Sequence, residues 1–210
     1  MRRSAVRAAL RPPIVGISYA VALLASNLWL ETVDSTTEAR VLYDASTNLR
    51  HLARDPWAVI ATSAFFTRGG VVFAFIGAIV CVGLLERVAG WRMTVVVAVT
   101  AHVIGTIVSE GVIAVRIAVH DLPTTARNVL DVGPSYVIVG CATAAIAWTG
   151  AARWVRVVCA VALAPLFIFT AWRLPAGRID AIGHVTAAAV GLAWAYWKRR
   201  TPVIGEEAVP

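Results

Sequence analysis

Charged residues are scarce in this sequence. They make up 15% of its 210 residues, whereas 59% of the residues are hydrophobic. Because a soluble domain carries about 25% charged residues, the composition excludes an ordinary water-soluble domain. Cysteine is scarce too, and its three copies have neither CxxC nor Cys/His spacing: Cys81, Cys141 and Cys159. No metal site or disulfide framework is indicated, and we predict that the protein uses no metal and no cofactor.

The chain also lacks a glycine-rich phosphate loop and any stretch in which basic and aromatic residues alternate. Its net charge of +7 would suggest a nucleic-acid partner in a soluble protein. Here the basic residues flank long apolar runs, so membrane topology accounts for the positive net charge. We predict no nucleic-acid partner and a protein embedded in a lipid bilayer.

Long apolar runs are abundant. A membrane-spanning helix needs about 20 mainly apolar residues, and six windows approach this length: 13–30, 69–87, 93–115, 134–150, 155–172 and 180–197. These runs are too long and continuous for the strands of a membrane barrel. We therefore predict an all-α integral membrane protein, a bundle of six transmembrane helices.

The distribution of basic residues predicts the orientation of this bundle. Both termini and the two loops that lie on their side hold eleven basic residues against three acids, whereas the loops of the other side hold eight against nine. By the positive-inside rule both termini are cytoplasmic, which predicts a multi-pass protein of the plasma (inner) membrane. We assign residues 1–200 to one six-span domain with a long outer loop at 31–68, and residues 201–210 to a disordered cytoplasmic tail.

Two residues of the predicted bundle could carry chemistry together. Ser135 lies in the first turn of the fourth span, and His184 lies in the second turn of the sixth span. Both spans run inward from the outer surface, so the two side chains lie at a similar depth, given a rise of about 1.5 Å per residue. A hydroxyl and an imidazole at one level can form a nucleophile–base pair. Each also has a plainer interpretation, as a helix-start serine and as a histidine that bonds a neighbouring helix.

Three residues nearby could support such a pair. Gly133 precedes the fourth span, where backbone amides and the positive helix end would face an oxyanion. Asn128 could add its side-chain amide, and Asp180, one turn before His184, could orient the imidazole. A loop-structuring role for Asn128 and a capping role for Asp180 are equally open.

The third span carries a second polar set. His102, Thr106 and Ser109 are spaced four and three apart and therefore share one helical face. Glu110 and Arg116 follow towards the outer end. Intramembrane charges often mark transport routes, so a small transporter is a third alternative. We favour a hydrated inner face with Glu110 paired to Arg116, because no other span offers a matching acidic series.

Three strings resemble the rhomboid family of intramembrane serine proteases. In that family Gly-x-Ser-Gly opens the fourth helix, Gly-His or Ala-His with spaced small residues opens the sixth, and Glu-x-x-x-Gly closes the second. The corresponding strings are Gly133–Tyr136, Gly183–Gly191 and Glu86–Gly90. The resemblance covers about Trp57 to Trp197 and implies a six-helix rhomboid-like bundle in which Ser135 is the nucleophile and His184 the general base.

The chain departs from the family pattern at two places. Tyr136 stands where the family has glycine after the serine, and the stretch 70–74 lacks the His-x-x-x-Asn of the second helix. Our leading interpretation is an intramembrane serine endopeptidase that cleaves transmembrane protein substrates near the outer membrane face with a Ser135–His184 dyad. The alternative is a non-catalytic rhomboid-fold protein that binds or escorts transmembrane helices, and the two departures favour it.

Overall fold

Helices form nearly all of the chain that is described here. The structure is a computed structural model that describes residues 12–174 and 178–200, and within these ranges it contains no strand. Six apolar helices occupy the six windows expected from the sequence: α1 (Ile14–Leu30), α5 (Val71–Ala89), α6 (Trp91–Ala118), α7 (Ser135–Ala147), α8 (Arg153–Arg173) and α9 (Ile179–Arg200). The basic residues before position 12 and the predicted tail 201–210 lie outside the described residues.

The six apolar helices differ in length. By length and composition α5, α6, α8 and α9 can cross a membrane, whereas α1 has 17 residues and α7 has 13. A helix of 13 residues is about 20 Å long, which is shorter than the hydrocarbon core of about 30 Å. The structure thus supports four spans by this measure, and crossing by α1 and α7 stays a prediction.

Helix α7 is short because it is the centre of the bundle. Every residue from Tyr136 to Ala145 is buried, with α6, α8 and α9 packed around it. A helix enclosed by protein does not need a lipid-facing apolar stripe, and it does not need to match the bilayer thickness by itself. It instead places its first residue, Ser135, at the end of the bundle where α6 and α8 finish and α9 begins. We call this the site end.

The small residues of α9 bring it close to α7. A Cβ added to Gly191 would lie 2.2 Å from the Gly140 carbonyl oxygen, and one added to Gly140 would lie 2.3 Å from Ala101 Cβ on α6. Ala187 also faces this contact, since its carbonyl oxygen is 3.4 Å from the Cβ position of Gly140. The stripe of small residues therefore serves close packing against the central helix, as small residues do in membrane bundles.

The first apolar helix is joined to the end of the second. The Gly16 amide donates to the Glu86 carboxylate at 3.0 Å, so Glu86 satisfies one of the unpaired amides at the start of α1. An added Cβ at Gly16 would lie 2.7 Å from Gly83 Cα, which shows how closely the two helices cross. Helix α5 ends at Gly90, whose φ of 82° favours glycine. The Glu86–Gly90 string thus forms a real helix junction.

The long loop 31–68 is mostly helical. It contains α2 (Ser35–Asp44), α3 (Leu49–Leu52) and α4 (Pro56–Ser63). Each begins after a side chain that accepts a backbone amide: Asp34, Asn48 and Asp55. These are preferred capping residues, and Pro56 occupies a first-turn position that suits proline. The capping signals are visible in the sequence, but the helices are too short to be recognised from periodicity.

The end of this loop is tied to α1. The Tyr19 hydroxyl donates to the Ala64 carbonyl oxygen at 2.8 Å, and Asn27 Nδ2 donates to the Phe65 carbonyl oxygen at 2.9 Å. Asn27 Oδ1 accepts from the Thr67 amide at 2.9 Å. The buried Asn27 side chain therefore holds residues 65–67 against the helix and positions the start of α5.

Candidate functional site

The structure places Ser135 and His184 at the same end of the bundle without a hydrogen bond between them. Ser135 is half-buried as the first residue of α7, and its hydroxyl forms no hydrogen bond with any residue that the structure describes. His184 is buried, and its Nδ1 shares a hydrogen bond of 2.9 Å with Thr170 Oγ1 on α8. Thr170 cannot be identified from the sequence, which contains no signal for the rotation of α8 against α9.

Tyr136 is the residue of α7 that contacts the imidazole. Its ring meets the His184 ring edge-on, with centroids 5.5 Å apart and an interplanar angle of 77°. Glycines on two other helices make room for the Tyr136 ring. A Cβ added to Gly183 would lie 2.2 Å from Tyr136 Cζ, and a Cβ added to Gly105 would lie 3.1 Å from Tyr136 Cδ2. Tyr136 therefore fills a socket between α6 and α9, beside His184.

The polar face of α6 turns into the bundle next to this socket. His102, Thr106, Ser109 and Glu110 are all buried. The described residues offer no hydrogen-bond partner to His102 Nδ1, Thr106 Oγ1, either Glu110 carboxylate oxygen or the Tyr136 hydroxyl. The expected Glu110–Arg116 pair is not formed, since Arg116 contacts Asp121 at 2.6 Å. Buried polar atoms without partners are costly, so this face is the least satisfied part of the core.

A second hydroxyl–imidazole contact lies between Ser63 at the end of α4 and His102. His102 Nε2 is 3.0 Å from Ser63 Oγ and 3.0 Å from the Ile60 carbonyl oxygen. A carbonyl oxygen can only accept, so Nε2 carries the proton and donates to both oxygens. His102 in this tautomer cannot take a proton from Ser63 through Nε2. The contact anchors α4 to α6 and does not activate the serine.

The predicted oxyanion donors have other partners. Asn128 Oδ1 accepts from the Tyr43 hydroxyl at 3.3 Å, in a short 3₁₀ turn (Thr124–Asn128). The Gly133 amide donates to the Ser63 carbonyl oxygen at 3.0 Å, and the φ of 150° at Gly133 favours glycine. Both residues therefore connect the segment before α7 to the loop 31–68, and within the described ranges neither forms a hydrogen bond with Ser135.

Asp180 faces arginines. Its carboxylate lies 3.3 Å from Arg173 Nε and 3.9 Å from Arg178 Nε, and it forms no hydrogen bond with His184 within the described ranges. Because Arg173 ends α8 and Asp180 lies in the first turn of α9, Asp180 links the end of α8 to the start of α9. In residues 12–174 and 178–200, no group of three or more His, Cys, Asp and Glu side chains could hold a metal ion.

Asp131, in the segment before α7, is held by the loop 31–68. Its carboxylate accepts from Thr47 Oγ1 at 3.2 Å, and its amide donates to Ser46 Oγ at 2.9 Å. Burial is the main cause that raises the pKa of the Asp131 carboxyl to about 6; the hydrogen bond from Thr47 opposes this rise, and the charge of Asp180 adds to it. The folded protein therefore binds this proton more tightly than the unfolded chain does.

The raised pKa of Asp131 predicts a pH-dependent stability. Because the folded state holds the Asp131 proton more tightly than the unfolded state does, the contribution of this carboxyl to stability should fall as pH rises from about 4 to about 7. In thermal unfolding in detergent across this range, the melting temperature of the wild type should therefore fall relative to that of Asp131→Asn. The exposed Asp121→Asn serves as the control and should retain the wild-type slope. An unchanged slope in Asp131→Asn would contradict the assignment.

Comparison with known proteins agrees with the helical architecture. A family model described as rhomboid-like protein matches residues 8–202. No curated protein and no solved structure matches the chain. The match covers all six apolar helices, including both predicted site residues.

Proposed function

Because the chain belongs to the rhomboid-like protein family, we propose that it is a rhomboid-fold membrane protein that binds or escorts transmembrane helices without cleaving them. The observation that carries this proposal is the isolation of Ser135: its hydroxyl has no hydrogen-bond partner among the described residues, whereas His184 is bonded to Thr170. The resemblance implied a hydrolase, and the absence of a Ser135–His184 hydrogen bond among the described residues favours the non-catalytic alternative. Two features of the molecule support this function: in the described part of the chain Ser135 lacks a bonded base and oxyanion donors, and an apolar cavity can receive a helix.

A serine hydrolase needs a base within hydrogen-bond reach of its nucleophile and donors aimed at the oxyanion. Ser135 has no such partner among the described residues, and the Gly133 amide is already used by Ser63. The start of α5 brings only apolar side chains and glycine from residues 70–74. Loss of one oxyanion donor typically lowers the rate about 100- to 1000-fold, so this arrangement supports a role other than hydrolysis.

A lateral cavity offers a place for a membrane helix. It has a volume of about 480 Å³ between α1, α4 and α6, and its lining is almost entirely apolar. Three small residues form part of its wall: Ala61, Ala64 and Ala98. Helices associate in lipid when small residues allow close packing. Trp57 at the rim is 77% exposed, which adds a large aromatic contact for a bound helix.

Intramembrane proteolysis is the second candidate function, and one observation favours it. Tyr136, which follows Ser135 directly, touches the His184 ring, so the two predicted site residues lie in one neighbourhood. Catalytic hydrogen bonds are often long or poorly aligned until substrate binds. In this function Ser135 would attack a peptide carbonyl near the outer membrane face. His184 would take the serine proton and later give it to the leaving amine.

Serine labelling separates the two candidates. We would treat the purified protein with a fluorophosphonate probe, together with Ser135→Ala, His184→Ala and Tyr136→Gly. The expected result is no labelling of the wild type above the Ser135→Ala background. Labelling of the wild type that disappears in both Ser135→Ala and His184→Ala would contradict the non-catalytic proposal and support proteolysis.

Helix binding is tested in vesicles by energy transfer between the labelled protein and labelled single-span peptides. Ala98→Trp, which would fill the lateral cavity, should reduce transfer. Val161→Trp, on the exposed face of α8 outside this cavity, should not. If the two variants behave alike, the cavity is not the binding surface.

A further inference from the structure

A second cavity at the site end is lined by arginines. It has a volume of about 650 Å³ between the segment before α7 and the ends of α6, α8 and α9. Four arginines from three separate parts of the chain line it: Arg68, Arg116, and the neighbouring pair Arg173 and Arg178. The helix pattern of the sequence does not predict that these three parts meet, because they lie far apart along the chain.

The carboxylates near this cavity do not neutralise it. Asp131 and Asp180 are the acids in its wall, against four arginines, and Asp121 lies beside Arg116. Asp180 contacts both Arg173 and Arg178 through their Nε atoms. A guanidinium has five N–H donors, so each of these two arginines keeps its Nη groups for another acceptor. The cavity therefore carries positive charge and an excess of donors.

The cavity lies at the ends of apolar helices, the level at which a bilayer would have its headgroups. Arg116 and Arg173 are in the last turns of α6 and α8, and Arg178 directly precedes α9. The surface of α9 that continues from this end is apolar and exposed, with Val185 at 44% and Leu192 at 49%. These residues are seven positions apart and lie on one face of the helix. The arginines at the helix ends match the phosphate headgroup of a phospholipid, and the apolar face of α9 matches its acyl chains.

We propose that this cavity binds the phosphate headgroup of an anionic phospholipid. Arginine matches phosphate because its planar fork can donate two parallel hydrogen bonds to two phosphate oxygens. The net positive charge disfavours a headgroup that brings its own ammonium. The acyl chains follow the exposed face of α9. Neither Ser135 nor His184 takes part, so the inference goes beyond the proposed function. It holds for either orientation, because both membrane faces present headgroups.

The test measures lipid binding by the full-length protein in neutral detergent. Phosphatidylglycerol and phosphatidylcholine are titrated, and bound lipid is counted by native mass spectrometry. The double variant Arg68→Gln/Arg178→Gln removes two cavity guanidiniums. Arg40→Gln/Arg54→Gln removes the same charge from exposed positions in the loop 31–68, outside the cavity. Melting temperatures without added lipid verify that both variants fold.

The wild type and the control should bind phosphatidylglycerol in preference to phosphatidylcholine. The cavity variant should bind phosphatidylglycerol at least about tenfold more weakly, since charge-assisted bonds to phosphate are lost. Equal binding of the two lipids, or equal weakening in both variants, would overturn the proposal. It would also be overturned if sn-glycerol 3-phosphate bound as tightly as the lipid, or if a soluble acidic peptide bound to the cavity and the lipid did not.

Discussion

Tyr136→Ala should destabilise the protein by about 3–5 kcal/mol, the usual cost of removing a buried aromatic ring. The Tyr136 side chain is 3% exposed and fills the socket formed by Gly105 and Gly183 against the His184 ring. Nothing else in the described structure reaches into this space from α7. The free energy of unfolding, measured by denaturant titration in mixed micelles, checks the value.

Gly183→Ala tests whether the tyrosine and the glycine depend on each other. The added Cβ would lie 2.2 Å from Tyr136 Cζ, so we expect strong destabilisation in the wild type. In a Tyr136→Gly background the same change should be nearly neutral, because its obstacle is absent. Residues in contact give coupling energies of about 0.5–3 kcal/mol. If the losses in unfolding free energy from Gly183→Ala and Tyr136→Gly were simply additive, the direct contact between the two residues would be contradicted.

Gly191→Ala should destabilise the protein by about 3 kcal/mol or more, which is the upper end of the usual cost of inserting a methyl group into a well-packed core. Its Cβ would lie 2.2 Å from the Gly140 carbonyl oxygen and 2.4 Å from Thr143 Oγ1. Because the Gly140 carbonyl oxygen belongs to the backbone and cannot rotate away, the clash can be removed only if the whole of α9 moves away from α7. Thermal unfolding in detergent measures the loss.

Gly111→Ala is the matched control for Gly191→Ala. Gly111 lies within α6, and an added Cβ there would meet no atom within 4 Å. Alanine in place of a helical glycine should therefore stabilise by about 0.5–1 kcal/mol. If Gly111→Ala and Gly191→Ala had similar effects, the close approach of α7 and α9 would be wrong.

The helical framework could be predicted from the sequence because apolar length belongs to each segment by itself. The six windows correspond to α1 and α5–α9, and the family expected from three short strings is confirmed by the match over residues 8–202. The glycine at position 90 was expected to close α5, and its φ of 82° does so. The helices of the loop 31–68 were missed, since they depend on single capping residues.

The candidate site shows the limit of such prediction. The sequence predicted Ser135 and His184 at one depth, and both residues lie near the start of their helices. It could not identify the partner of His184. A hydrogen bond between helices requires atoms within about 3 Å, and a helix rotation of a few tens of degrees exchanges one partner for another. Thr170 holds the imidazole Nδ1, and the pairing with Ser135 stays a prediction.

By itself the sequence determined the membrane class, the six apolar helices and the small-residue stripe of α9, since each follows from composition or spacing within one segment. Only the tertiary structure decided that Tyr136 lies in a socket between two helices, that Ser63 meets His102 and that arginines from three distant parts of the chain line one cavity. The physical reason is the range of the interactions. Apolar burial tolerates shifts of a helix, whereas steric fit, hydrogen bonds and converging charges depend on the relative placement of several helices at once.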